Sequence, residues 1–400
     1  MKWDFCFLVA AILAAGLQLS FAADTDVSKL AAANNAFAFK LLKQINAEQP
    51  TNNIFISPYS AATALQMVAN GAGGQTKIEM QEVLGTSDLT IGAINEAGRN
   101  VAGLMNSKNK NFILTTANAL WFRQGAKVEP HFLEMNRQFF HSTINSLDFG
   151  NVPAAEAKIN HWASDHTHGR ITGITDDMIT PFTDLILANA IYFKDKWLDP
   201  FDAKLTKERT FHPATSGGKN MPMMEKSKKF AYREGSGHQA VRLPYKDCDL
   251  AMYVFLPDPG SSPAKLLQIM NADNWQGVML PGFGERKGLL VLPKFKLENT
   301  LGLNSSLKAM GMKTAFNEQA DFSEMFNEPH HISEVRQKAF VEVNEEGTEA
   351  AAVTGIAVTA LAATRNPLPP FEMIVDRPFL FVIVDARSEM ILFMGVVNEL

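Results

Sequence analysis

Residues 345–370 read EEGTEAAAVTGIAVTALAATRNPLPP, and this stretch carries a physical contradiction. Between Ala350 and Thr364 no residue is charged and none is proline. Alternate residues from Thr348 (Ala350, Ala352, Thr354, Ile356, Val358, Ala360) are small or β-branched, which suits the inward face of a strand in a crowded sheet. The run nevertheless leads into Arg365, Asn366, Pro367, Leu368, Pro369 and Pro370, which cannot continue a central strand and read as exposed extended chain. The segment has the composition of a buried strand in the position of a loop. Composition alone also admits an Ala-rich helix or a permanently buried strand.

Working outward, helical spacing of apolar residues covers Asn34 to Ile45 and Ala61 to Asn70, with Gly71 to Gly74 closing the second run. Short apolar or alternating runs dominate the rest: Phe112 to Phe122, Asp184 to Phe193, Ala251 to Leu256, Gly288 to Leu292, Phe379 to Val384 and Met390 to Val397. Long crossovers separate several of them, which predicts a mixed α+β architecture with more than one sheet. No linker, low-complexity tract or internal repeat divides the chain, so one large domain is expected. At 46% hydrophobic residues it can bury a large core.

The flanks of the loop identify the sequence further. Val341-Glu-Val-Asn-Glu-Glu-Gly-Thr-Glu-Ala-Ala-Ala352 resembles the hinge of the serpin family, and Asp376-Arg-Pro-Phe-Leu-Phe381 and Leu392-Phe-Met-Gly395 resemble that family's terminal strands. Asn53-Ile-Phe-Ile-Ser-Pro-Tyr-Ser60, Gly71-Ala-Gly-Gly-Gln-Thr76, Ala188-Asn-Ala-Ile-Tyr-Phe-Lys194 with Trp197, Leu243-Pro-Tyr245, Leu292-Pro-Lys-Phe295 and Ala320-Asp-Phe-Ser323 match it in order. The resemblance covers essentially the whole chain beyond its first residues. It implies three β-sheets, about nine helices and an exposed reactive loop over about 345–370. It implies a serine protease inhibitor that acts as a suicide substrate, whose cleaved loop enters the main sheet as an added strand. No cofactor or metal and no catalytic residue of its own is implied, and the expected partner is a serine protease met by a monomer.

Residue by residue, the resemblance makes Glu345, Glu346, Gly347, Thr348, Glu349, Ala350, Ala351 and Ala352 the hinge. Small side chains there suit entry between two strands, where a large or charged group would be expensive to bury, and Gly347 supplies backbone freedom. Trp197, Glu345 and Lys294 match the region where insertion begins. Ser60 and Asn189 match polar positions beneath it, joined by Gln337 where most members carry a histidine, so the cluster can donate and accept without titrating. Two bait bonds stay open. The family's spacing from Glu345 gives Leu361-Ala362, suited to a chymotrypsin-like or elastase-like pocket, whereas counting back from Asp376 gives Arg365-Asn366, suited to a trypsin-like one.

The first residues read as an export signal: Lys2, an apolar run from Phe5 to Leu19, then Ser20 and Ala22, which places residues 1–22 as a signal peptide and 23–400 as the exported domain. The run is too short for a membrane span. Secretion, or the periplasm in a bacterial host, is expected. Of two cysteines Cys6 leaves with the signal, and Cys248 lies between Asp247 and Asp249, which disfavours a thiolate. A net charge of -5 argues against nucleic acid or an anionic membrane as partner, and Lys226, Lys228 and Lys229 read as a solvated turn. Asn304-Ser-Ser306 is a glycosylation sequon in a eukaryotic host. No Gly-x-Ser-x-Gly elbow occurs, and the pairs His166/His168 and Asp247/Asp249 lack companions at metal-ligand spacing, so a hydrolase is disfavoured. A non-inhibitory binding or carrier relative is the alternative function, and the absence of charge and proline from Ala350 to Thr364 stands against it.

Overall fold

The computed structural model describes residues 3–105 (side chains over 26–103), 113–175, 178–246, 249–348 and 368–400. Its helices are α1 (Trp3–Glu48), α2 (Pro58–Ala69), α3 (Gly74–Leu84), α4 (Ile91–Met105), α5 (Pro130–Phe139), α6 (Val152–His166), α7 (Pro263–Ile269), α8 (Ala272–Asn274) and α9 (Asn304–Met310). Strands β1 (Ile54–Ile56), β2 (Ile113–Arg123), β3 (Thr143–Leu147), β4 (Leu185–Lys196), β5 (Lys207–Phe211), β6 (Lys219–Gly235), β7 (His238–Pro244) and β8 (Leu250–Pro257) come before the second half of the chain closes the sheets. It does so with β9 (Gly284–Pro293), β10 (Phe295–Gly302), β11 (Ile332–Val343), β12 (Gly347–Thr348), β13 (Phe371–Ile374), β14 (Phe379–Asp385) and β15 (Met390–Val397).

Two hydrogen-bonded sheets result among the described residues. One has nine strands in the order β1-β15-β14-β8-β7-β6-β9-β13 with β5 on β6, and the other has six in the order β10-β11-β12-β4-β2-β3. The α+β serpin-like fold expected from the sequence is the one observed. Where the resemblance implies three sheets, the described residues form two, because β6 is long and joins strands into one sheet: its first residues pair with β5, its middle with β9 and its end with β7. Lys226 and Lys228 lie within this strand rather than in a turn. Both ammonium groups sit 2.6 Å from the Asp199 carboxylate, which corrects the reading of the lysine cluster as a solvated turn.

Local chemistry explains the elements that matter for the seam described below. Helix α2 starts where the Ser57 hydroxyl accepts from the Ser60 amide and Pro58 takes the first turn, where no amide proton is needed. It is buried on nearly every side, as its apolar composition requires. Strand β4 is buried on both faces. Ile186, Ala188 and Ala190 pack under α6 with Trp121 and Trp162, while Leu185 and Leu187 join the main core. Small alanines on the α6 side let the helix lie close to the sheet. The Asn304 amide donates to the Ser333 carbonyl (2.8 Å) and accepts from the Val335 amide (2.8 Å), so the sequon asparagine is committed to holding α9 on β11.

Strand β15 shows how tightly the nine-stranded sheet is filled. Gly395 lies between Phe55 and Phe381 on the flanking strands, and a Cβ there would come within 2.2 Å of the Phe381 ring. That ring stacks on Phe55 and tilts against Phe295, so it cannot swing away. Gly395→Ala should therefore destabilise the protein by about 1–3 kcal/mol through overpacking, read as a lowered denaturation midpoint with an unchanged slope; a midpoint equal to the parent's would show that the rings can yield.

Candidate functional site

The six-stranded sheet contains a seam. Strand β11 runs parallel to β4 from Ile332 to Phe340 against Leu185 to Tyr192, with a register irregularity at Ser333, and above that the two strands part. The two residues of β12 fill the gap at the top. Thr348 pairs antiparallel with Val343 on β11 and with Asp195 on β4, and Gly347 pairs with Lys196. Thr348 is fully buried, and its hydroxyl lies 2.8 Å from the Tyr245 hydroxyl.

A compact set of contacts holds this wedge. The Trp197 amide donates to Glu346 O (2.8 Å), its indole N–H donates to Asn344 O (3.0 Å), and its ring stacks on Tyr245 at 4.7 Å. The Phe201 amide donates to Glu345 O (2.7 Å). The Glu345 carboxylate receives Lys294 at 2.9 Å and the Thr206 hydroxyl at 2.8 Å. Burial disfavours its charge, but the bonds from Lys294, its own backbone and Thr206 prevail and hold the carboxyl below its ordinary value. Gly347 has φ +157, and a Cβ there would lie 2.2 Å from the Asp195 carbonyl oxygen and 2.6 Å from the Lys196 Cα. Both obstacles are backbone, so only glycine lets the chain pass this close to β4.

Midway down the seam lies a polar cluster. Gln337 of β11 and Asn189 of β4 face each other in register, with Gln337 Nε2 donating to Asn189 Oδ1 (2.7 Å) and to Ser57 O (2.9 Å). Gln337 Oε1 accepts from the Ser57 amide (2.9 Å). Asn189 Nδ2 donates to Ser60 Oγ and to Asn118 Oδ1. Every side chain of the cluster is buried and paired, with no titrating group among them.

At its foot the seam is clasped. Asp184, just before β4, takes His330 Nδ1 on Oδ1 (2.8 Å) and the His331 amide on Oδ2 (2.9 Å), and its own amide donates to Ser333 Oγ (2.9 Å). Burial opposes ionisation of Asp184, yet the bonds from His330 and His331 and their charges outweigh it and hold the carboxyl below its ordinary value.

The residues expected from the sequence thus fall into two groups along one seam: Trp197, Glu345, Lys294, Glu346, Gly347 and Thr348 at its head, and Ser60, Asn189 and Gln337 at its middle. Glu349, Ala350, Ala351, Ala352 and both candidate bonds, Leu361-Ala362 and Arg365-Asn366, lie outside the described residues, as does Cys248. The sequence reading missed Tyr245, Thr206 and the Asp184 clasp. The Leu243-Pro-Tyr245 motif pointed at the first, whereas the clasp joins residues far apart in the chain and leaves only the adjacent pair His330-His331 as a trace.

Comparison with known proteins follows the same lines. The family described as Serpin (serine protease inhibitor) matches residues 32–400. A serpin-like protein of Methanosarcina acetivorans is 34% identical over 374 residues, covering 92% of this chain and 87% of that protein. Leukocyte elastase inhibitor of Sus scrofa is 34% identical over 380 residues, covering 92% and 99%. The structure of human thyroxine-binding globulin superposes with a TM-score of 0.86 at 28% identity, covering 94% of this chain and 99% of that one. With a seam wedged by its own hinge, and with a family match that runs from residue 32 to the last residue, the chain belongs to the serpin family.

Proposed function

We propose that this serpin is a secreted, monomeric inhibitor of serine proteases and not an enzyme, with residues 1–22 removed on export. The protease serine attacks the carbonyl carbon of the bait residue, the peptide C–N bond breaks, and the nitrogen leaves with a proton from the protease histidine. An ester then joins protease and inhibitor, and insertion of the freed segment traps it. The single observation that carries the reading is β12. Gly347 and Thr348 already stand between β11 and β4 at the head of the seam, with the Thr348 side chain turned inward.

Counting onward from that start supports the rest. Each residue after Thr348 steps one residue back along β4 from Asp195, which sets Ala350 against Phe193, Ala352 against Ile191, Thr354 against Asn189 and Val358 against Leu185. The same count along β11 from Val343 sets Thr354 against Gln337. The inward parity of Thr348 then passes to Ala350, Ala352, Thr354, Ile356 and Val358, the small and branched residues. A hydroxyl at 354 would meet the Asn189–Gln337 pair that its entry separates. Insertion exchanges one parallel ladder for two antiparallel ones, a net gain of a ladder at about 0.5–1.5 kcal/mol per hydrogen bond. Similarity to leukocyte elastase inhibitor agrees with a protease target. Likeness to thyroxine-binding globulin favours the second reading, a carrier that does not inhibit, against which stands the run of small residues after Thr348.

The test is to mix the protein with chymotrypsin, elastase and trypsin. An inhibitor gives a complex that survives denaturing gels, and loop cleavage raises its melting midpoint; simple cleavage with an unchanged midpoint would favour the carrier. Thr348→Arg should abolish the complex while leaving the loop cleavable, since burying an unpaired guanidinium at the wedge costs several kcal/mol. Complexes at the parental stoichiometry would sink the insertion mechanism.

The bait bond is settled by two variants. We expect Leu361→Ala to weaken complexes with chymotrypsin-like or elastase-like enzymes by removing about 1.5–3 kcal/mol of pocket burial, and Arg365→Ala to leave them unchanged. Trypsin trapped by the parent but not by the Arg365 variant would move the bond to Arg365-Asn366.

The clasp at the foot of the seam must open for the last inserted residues. A carboxyl depressed in the folded state stabilises it above the unfolded pKa and loses that contribution as pH falls through the folded value. Acidification below the ordinary carboxylate range should therefore loosen the clasp, and Asp184→Asn should do so at neutral pH. The variant's uncleaved form should be about 1–3 kcal/mol less stable, with a flattened acid dependence, read by melting across pH. A midpoint and pH profile equal to the parent's would remove the clasp from the account.

A further inference from the structure

A second concave site lies away from the seam, on the α6 side of the six-stranded sheet. It is a cleft of about 500 Å³ between α6 and β3, the last strand of that sheet. One wall is a single face of α6, on which Lys158, His161, Trp162, Asp165 and His166 recur at helical spacing. The other wall is β3. Thr143 accepts from the Trp162 indole N–H (3.1 Å) and Leu147 joins the core beneath the helix, so Asn145 between them shares the face toward α6. Trp121 of β2 lines the floor, level with Asn145 across the ladder and edge-to-face with Trp162 at 6.2 Å. Each of the two tryptophans is 5% exposed, so the cleft meets a narrow apolar strip rather than an open ring face.

Two donors at this cleft are unspent. The Trp121 indole N–H is buried with no acceptor among the described residues, a state that native structures seldom leave unanswered. Lys158 stands exposed on the rim and forms no ion pair among the described residues. The charges beside it are already engaged: His161 Nε2 lies 3.2 Å from the Asp165 carboxylate, and His166 Nδ1–H donates to Trp162 O (2.8 Å). We propose that the cleft binds a small aromatic carboxylate, its rings lying along the tryptophan strip and its carboxylate held by Lys158 with the Trp121 N–H as second donor. One unpaired cation matches one negative charge, whereas a phosphate dianion would set its second charge against Asp165. The volume falls within the roughly 300–1,000 Å³ of small-molecule sites, where an apolar lining and a few polar groups fix the ligand. This site is independent of the seam and stands whether or not the loop inserts.

The probe is 2-naphthoate, and 2-naphthamide, with the same rings and no charge, is its control. Titration calorimetry should give one saturable site for 2-naphthoate in the millimolar range or below, with the amide about ten-fold weaker, and 2-naphthoate should raise the melting midpoint. Lys158→Gln changes an exposed side chain and should weaken 2-naphthoate about ten-fold while leaving the amide unchanged. Trp121→Phe keeps a ring without the donor and should also weaken 2-naphthoate, and Asn145→Trp should fill the cleft and abolish binding of both compounds. Melting each variant without ligand separates lost binding from a lost fold. No saturable site in the parent, equal affinity for acid and amide, or parental affinity in both Lys158→Gln and Asn145→Trp would overturn the proposal.

Discussion

Everything distinctive in this protein depends on one parallel ladder, that between β4 and β11. It lies in the interior of the six-stranded sheet, yet it is closed only along its lower part and is separated above by two residues of a different strand. Parallel pairing is slightly weaker per residue than antiparallel pairing, and here the same two strands could each gain an antiparallel partner instead. The native arrangement is thus a sheet that has not used all its pairing capacity. What keeps it so is distributed along the seam: an ion pair and a stacked indole at the head, an amide cluster at the middle, and a carboxylate clasp at the foot.

The middle cluster shows why residue type matters more than polarity. Gln337 uses both protons of its amide nitrogen and its carbonyl oxygen within the seam, so the cluster is satisfied in one protonation state only. A ring nitrogen at that place would make the lock respond to mild acid. In this chain the shifted groups along the seam are carboxyls, Glu345 at the head and Asp184 at the foot, both held below their ordinary values by their hydrogen bonds.

Much of this was legible before any coordinates. The alternation from Thr348 reads as a strand to come, and the inward burial of Thr348 fits that parity. Apolar runs marked β2, β4, β8, β14 and β15 because strands buried on both faces, or nearly so, read as continuous hydrophobic segments. The polar strands escaped: β11 carries Glu334, Arg336 and Lys338, whose charges are held by neighbours on the sheet rather than by water. The same reason hid β6, where two lysines are fixed by Asp199. Helices α3 to α9 outside the first two periodic runs were missed, several being short or weakly patterned. The clasp was invisible because Asp184 and His330 meet only through the fold.

The placement of β12 also bears on how the chain reaches its native state. Strand β12 follows β11 after three residues, so a hairpin pairing Val343 with Thr348 is a local event, and such hairpins close within about 1–10 μs. The β4–β11 ladder joins segments from opposite halves of the chain and must be slower. On the inhibitory reading proposed above, a segment that continued this hairpin would fill the seam before any protease is met. The counterweight is the far tether, where Phe371 to Ile374 of β13 pair with Gly288 to Val291 of β9, which lies before β11 in the chain and can dock early. Once β13 is docked, the chain between β12 and β13 is anchored at both of its flanks. On that reading, the order in which the two edges zip decides whether the seam is still open when the chain is finished.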